Sequence, residues 1–306
     1  MLSVEVAQAV LRPAFPSVVV DRVLPRTGGE NSAVYEAHTR EPAARMIIKL
    51  YSEELHWKLR KEVYVYDLLG EGLPLPRVLH VDESRRIVDH SAIVLSLLAG
   101  APLSAVGDQL GEGDVSRIYR RLGEVLASIH RIAQPGFGYI GTELLDPLPT
   151  NAEYMAARFA HKLAEFAEFG GDPAIHDAVS RYVAANAGMF AGCRGAVLCH
   201  NDFHEGNVLV DRGESGWEVT GIVDMENAVA ADPVLDLAKT EYYSIRGNQT
   251  KLEGLRDGYG ALPAGYPAAV GVYRVYHALE LWDWFASIGK REYLAGLADD
   301  LSAFTA

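Results

Sequence analysis

The chain has 306 residues, a formal net charge of −13 from 28 basic and 41 acidic side chains, and 49% hydrophobic content. That composition is ordinary for a folded protein, the length predicts about two domains, and the acidity argues against nucleic acid or an anionic membrane as partner, since both are gripped by basic patches. With two cysteines, Cys193 and Cys199, a disulfide scaffold and a four-cysteine zinc site are excluded. No apolar run reaches the ~18 residues of a membrane span. Glu5 without a basic stretch before it argues against a signal peptide, so a cytoplasmic location is expected.

Taken in chain order, residues 17–24 read as a β-branched strand, followed by a turn over 25–31 and a second strand from Ser32 to about residue 37. A third strand covers 46–51, a helix 53–70 ends at Gly70, and 77–82 and 91–97 predict two more strands. Gly100, Ala101 and Pro102 then break the pattern and read as a linker. Beyond them, apolar residues recur at helical spacing over 114–132, 151–168, 174–190, 234–245 and 270–288, with short strands at 196–199, 207–211 and 217–223. This order predicts an α+β protein of two parts. Residues 1–98 form a five-stranded antiparallel sheet with one helix, and residues 99–306 a larger, mainly helical part. The first part carries 12 basic and 13 acidic residues, the second 16 and 28, so nearly all the negative charge lies in the second. Solubility alone explains such a surface; so does attraction of a cationic small molecule.

Two charges sit where apolar residues belong. Lys49 interrupts the run Met46, Ile47, Ile48, Leu50, and Glu62 occupies the stripe marked by Leu55, Leu59, Tyr66 and Leu69. Burying either alone costs several kcal/mol, so the economical arrangement has them face each other. A strand lysine held by a helix glutamate is how kinases fix a lysine on ATP phosphates. The plainer alternative is a lysine stem lying along an edge strand with its charge in water.

The chemistry concentrates between residues 196 and 238. A polar cluster, His200 to Asn207, lies between two short apolar strands, and Asp202 and Asn207 stand five apart as in the kinase catalytic loop. The strand from Val219 ends in Asp224. Asn207 and Asp224 offer oxygen ligands of the kind Mg²⁺ prefers. A zinc site on His200 and His204 leaves Asn207 and Asp224 without a role. Cys199, inside an apolar strand, reads as an inert thiol.

The ordered set Lys49, Glu62, Asp202, Asn207, Asp224 resembles the aminoglycoside phosphotransferase and choline kinase superfamily of protein-kinase-like small-molecule kinases. His200-Asn201-Asp202-Phe203-His204-Glu205-Gly206-Asn207 is similar to that family's H-G-D-L-H-x-G-N, and Gly221-Ile222-Val223-Asp224-Met225-Glu226 to its G-I-I-D-W-E. Asp232-Pro233 and Asp236-Leu237-Ala238 follow the family's G-D-P-x-x-D-L-A. The resemblance runs from Gly28 to the C-terminal helices, with Asn201 for glycine and Met225 for tryptophan as departures.

The resemblance implies a bilobal protein-kinase-like fold and assigns roles. Asp202 accepts the proton of the acceptor hydroxyl. Asn207 and Asp224 hold Mg²⁺, and Lys49, fixed by Glu62, contacts the phosphates of ATP or GTP. The loop of Gly28, Gly29, Asn31 and Ser32 covers those phosphates, Leu97 and Leu98 lead into the hinge that holds the base, and Asp232 and Asp236 brace the catalytic loop. Asp232 follows Asp224 by only eight positions, too few for the peptide platform of a protein kinase. The acceptor is therefore expected to be a small hydroxylated molecule, bound by the helices of 151–190 and the C-terminal helices. The acidity favours an amine-bearing acceptor such as an aminoglycoside or related antibiotic, with Glu226, Glu241, Glu280 and Asp283 as candidate contacts. Choline-like, amino-sugar and nucleoside acceptors, and a catalytically silent nucleotide-binding regulator, are the alternatives. A monomer or homodimer is expected.

Overall fold

The computed structural model describes residues 1–26, 32–41 and 43–306. The expected phosphate loop at Gly28, Gly29 and Asn31 lies outside them. The elements in chain order are α1 (Val4–Leu11), β1 (Val19–Arg26), β2 (Ala33–Glu41), β3 (Ala43–Tyr51), α2 (His56–Leu69), β4 (Val78–Asp82), β5 (Ser91–Ser96), β6 (Ala101–Pro102), α3 (Leu103–Val106) and α4 (Glu112–Ile129). They continue with β7 (Phe137–Ile140), β8 (Leu144–Leu148), α5 (Asn151–Glu168), α6 (Pro173–Asn186), β9 (Val197–Cys199), β10 (Val208–Gly213), β11 (Gly216–Ile222), β12 (Val229–Ala231), α7 (Val234–Thr240), α8 (Gln249–Tyr259), α9 (Tyr266–Ser287) and α10 (Leu294–Phe304). The chain divides into two compact units, one of Met1–Gln109, Gly141–Glu143 and Glu205–Glu226, the other of Leu110–Ile140, Leu144–His204 and Asn227–Ala306.

The first unit is built on the expected five-stranded antiparallel sheet, in the order β1-β2-β3-β5-β4. Alternation along β3 sends Met46, Ile48 and Leu50 into one core with Ala7, Val10 and Leu11 of α1, a helix the sequence pattern did not signal. Lys49 and Tyr51 therefore take the opposite face. Strands β6, β10 and β11 form a second, three-stranded sheet. The expected linker at 100–102 is instead ordered: Ala101 and Pro102 pair with Val210 and Leu209. Gly100 has φ +98°, and a Cβ there would lie 2.3 Å from the Val210 carbonyl oxygen, so this approach requires glycine. The β10–β11 hairpin, paired with β6, belongs with the rest of 205–226 to the first unit.

The second unit is mainly helical around a four-stranded sheet, β8-β7-β12-β9. Its helix starts follow local chemistry. Thr150 caps α5, its Oγ1 accepting from the Glu153 amide, and Asp172 caps α6 ahead of Pro173. Helices α4 and α8 approach so closely that a Cβ on Gly258 would lie 1.7 Å from the Arg120 carbonyl oxygen. Helix α7 runs into a π-turn at Glu241–Ile245, so the helix expected over 234–245 changes its hydrogen bonding midway.

Candidate active site

In the first unit, Lys49 pairs through its backbone with Val34 of β2 and Ile93 of β5, at the centre of the sheet. Its ammonium donates to Glu62 Oε2 at 3.0 Å, Glu62 Oε1 at 3.1 Å and Asp224 Oδ1 at 3.1 Å, with Glu226 Oε2 at 3.7 Å. One buried cation thus sits among three carboxylates. Burial works against its charge, but Glu62, Asp224 and Glu226 outweigh that and hold the Lys49 ammonium well above its ordinary range. The Tyr51 hydroxyl lies between Glu62 Oε2 at 2.6 Å and Glu226 Oε2 at 3.0 Å, and Tyr66 donates to Glu62 Oε1 at 3.1 Å. Lys58, one helical turn before Glu62, donates to Glu226 Oε1 at 3.0 Å.

Asp224 ends its segment with φ +71°, a left-handed conformation uncommon for a side chain other than glycine or asparagine. It is the most open of the three carboxylates, with 28% of the side chain exposed against 1% for Glu62 and 3% for Glu226. The Val223 amide donates to the Asn207 carbonyl at 3.0 Å, which ties the Asn207 segment to the strand leading into Asp224. Asn207 and Asp224 supply hard oxygen donors beside an excess of carboxylate, a donor set that fits Mg²⁺. Leu97 and Leu98 are half-buried just beyond β5, and Ser32 lies just ahead of β2.

In the second unit, β9 delivers the loop His200–His204. Helix α7 grips its start: Asp236 Oδ2 and Oδ1 accept the backbone amides of His200 and Asn201, both at 2.7 Å. Asp236 is in turn 3.1 Å from His130, whose other ring nitrogen meets the Tyr259 hydroxyl at 2.9 Å. Asn201 has φ +59°. The departure from the family's glycine is thereby explained, because asparagine tolerates the left-handed region better than most residues, and its Nδ2 is anchored on the Asn227 carbonyl at 3.1 Å. Met225, the other departure, is fully buried.

Asp202 faces the Lys239 ammonium, a histidine ring and a side-chain amide. Lys239 Nζ is 3.5 Å and His204 Nε2 3.6 Å from Asp202 Oδ1, and Asn227 Nδ2 is 3.4 Å from Oδ2. Burial pushes the Asp202 carboxyl up, but Lys239, a hydrogen bond from His204 and the His204 and His200 rings outweigh it and hold the group well below the usual carboxylate range. His200 is buried, its ring edge-on to Phe203, in a bracing position.

Three of the four acidic candidates for acceptor contact have hydrogen-bonded partners of their own. Glu226 belongs to the Lys49 cluster. Glu241 is 3.2 Å from Arg274, and Glu280 accepts from Lys239 and lies beside His277 Nδ1, both at 3.2 Å. Asp283 is 2% exposed; neither of its oxygens accepts a hydrogen bond, and its nearest cation is Lys162 at 3.9 Å. Burial, opposed by Lys162, pushes the Asp283 carboxyl up to about 8. Sequence reasoning missed Tyr51, Lys58 and Lys239. The signals were present: Tyr51 is two residues from Lys49 on one strand face, Lys58 four residues before Glu62, and Lys239 three residues after Asp236.

A strand lysine held by carboxylates and an ionised aspartate on a braced loop are groups of the kind that phosphotransfer enzymes employ. The model of the phosphotransferase enzyme family matches residues 22–272, and the chain belongs to that family. Among solved structures it is similar to aminoglycoside phosphotransferase APH(4)-Ia (18% identity, 98% of each chain, TM-score 0.75). It is similar also to a thermostable mutant of that protein in ternary complex with ADP and hygromycin B (18%, 97% of each chain, 0.73), and to APH(2")-IIIa in its GDP and kanamycin complex (12%, 97% of each chain, 0.71). At these identities the likeness establishes the fold.

Proposed function

We propose that this phosphotransferase moves the γ-phosphoryl group of ATP to a hydroxyl of a small, amine-bearing acceptor of the aminoglycoside kind. The observation that carries the reading is Asp202, a half-buried carboxylate kept ionised on a loop that α7 and Asn227 hold in place. Such a group can accept a hydrogen bond from an acceptor hydroxyl and take its proton as the oxygen–phosphorus bond forms. Lys49, fixed by Glu62, is positioned to bind phosphate oxygens, and the Ser32 end of the β1–β2 connection and residues 97–98 would meet the rest of the nucleotide. Mg²⁺, held by Asn207 and Asp224, would neutralise phosphate charge. Catalysis by this chain then reduces to orientation and fixed charge.

The cationic acceptor is supported by the charge distribution and by the hygromycin B and kanamycin complexes of the structural relatives. The burial of Glu226, Glu241 and Asp283, and the pairing of half-buried Glu280 with Lys239, leave its contacts to other residues or to rearranged side chains. Incubation of the purified protein with ATP, Mg²⁺ and a panel of aminoglycosides, choline, amino sugars and nucleosides, read by mass spectrometry, tests the reading. An aminoglycoside gaining one phosphoryl group supports it. Phosphorylation confined to neutral acceptors removes the cationic part, and a preference for GTP removes the choice of donor.

A further inference from the structure

Lys239 is a lysine in the wrong place for an ordinary helix residue. It lies on α7, 5% exposed, yet its ammonium is held from three directions: the Asn201 carbonyl at 2.6 Å, Glu280 Oε2 at 3.2 Å and Asp202 Oδ1 at 3.5 Å. The Tyr243 ring lies beneath it at 5.2 Å. Burying an ammonium is costly, and a leucine here would fill the space without that cost. Helix α7 therefore grips the loop twice, with the Asp236 carboxylate on the amides of His200 and Asn201 and with the Lys239 ammonium on the Asn201 carbonyl and the Asp202 side chain.

We propose that Lys239 is a positioning residue for phosphoryl transfer: its ammonium orients Asp202 and balances its negative charge, and Glu280 of α9 holds Lys239 in place. This rests on the reading of Asp202 as the group that receives the acceptor proton. The ionisable groups around the pair are His200 and His204 of the loop, Tyr243 of the π-turn, and Glu280 and His277 of α9. Lys239 heads the cations opposing the effect of burial on Asp202. Without it, the carboxyl must protonate at higher pH.

The test is the dependence of kcat and nucleotide KM on pH, from about 5 to 9 around the histidine range, for the wild type, Asp202→Asn, Lys239→Met, Lys239→Arg and the double variant Lys239→Met/Glu280→Gln. Lys239→Met is expected to lower kcat roughly 10- to 100-fold with nucleotide KM unchanged, and to bring the acid limb of kcat, which in the wild type lies below this window, up towards its acid end. Lys239→Arg should restore the wild-type limb. The double variant removes the carboxylate that Lys239→Met leaves unpaired, so it keeps the test open if the single variant folds poorly, and it should show the same displaced limb. Wild-type kcat and profile in Lys239→Met, or in the double variant where the single does not fold, overturn the inference while an inactive Asp202→Asn leaves the reading of Asp202 standing. Full turnover by Asp202→Asn overturns that reading itself.

Discussion

The two clusters are electrostatic opposites. In the first unit a cation, Lys49, sits among the carboxylates of Glu62, Asp224 and Glu226. In the second an anion, Asp202, sits among Lys239, His204 and His200. Each arrangement suits a different task. On the proposed reading, the excess of carboxylate in the first serves a divalent ion and, through it, phosphates, and the ionised carboxylate of the second serves as proton acceptor. The supports differ as well. Lys49 is fixed by Glu62 of α2 and by Asp224 and Glu226 just after β11, whereas Asp202 depends on a loop whose geometry is imposed from α7.

The comparison breaks most visibly at Asp202. Asp202→Asn keeps the shape and removes the proton acceptor, and kcat is expected to fall about 10²- to 10⁴-fold; steady-state assays with whichever acceptor the screen identifies measure it. Glu62→Leu attacks the other cluster through stability. It leaves Lys49 buried with its principal partner gone, and removing one side of a buried pair costs about 3–5 kcal/mol, read by urea denaturation. Lys58→Met is expected to act more mildly, since Glu226 keeps Tyr51 and Lys49: a loss of about 1–3 kcal/mol in the same measurement.

Asp283 supplies a contrast of the opposite sign. Its carboxyl is pushed up to about 8 by burial, against an ordinary 3.8. The folded state then holds a proton that the unfolded chain releases, so this group's contribution to stability is intact below the ordinary value and is lost as pH rises towards 8. Asp283→Asn should therefore stabilise the protein by about 1–3 kcal/mol above pH 8 and flatten the decline in stability between these values. A variant less stable than wild type at pH 8 would mean that the carboxylate is charged and partnered when folded.

What was legible in the sequence follows the same division. Lys49 and Glu62 stood out because each violated an apolar pattern on a regular element, and regular elements convert spacing into direction. The five strands, α5 and the short strands β9, β10 and β11 were legible for that reason. Helix α1 was not: eight residues gave too short a pattern, and its role is set by the sheet core it covers. Helix α8 escaped because Gly254 and Gly258 look like breakers, whereas they permit close packing on α4. Lys239 was hidden for a tertiary reason. Its neighbours Asn201 and Asp202 are 38 and 37 residues away, and no periodicity relates a helix to a loop that far back. Glu226 and Glu280 look like acceptor contacts in the sequence because no local pattern pairs them with Lys58 and Lys239, 168 and 41 residues away.

The proposed function divides the labour: Lys49 serves the nucleotide and Asp202 the transfer. Calorimetric titration of ATP with Mg²⁺ into Asp202→Asn and Lys49→Met, each checked for folding, tests it most directly. Asp202→Asn should bind ATP like the wild type while failing to turn over, and Lys49→Met should bind at least about tenfold more weakly, the loss of one charge-assisted phosphate contact. Unchanged ATP affinity in folded Lys49→Met, or undiminished turnover in Asp202→Asn, would contradict the account.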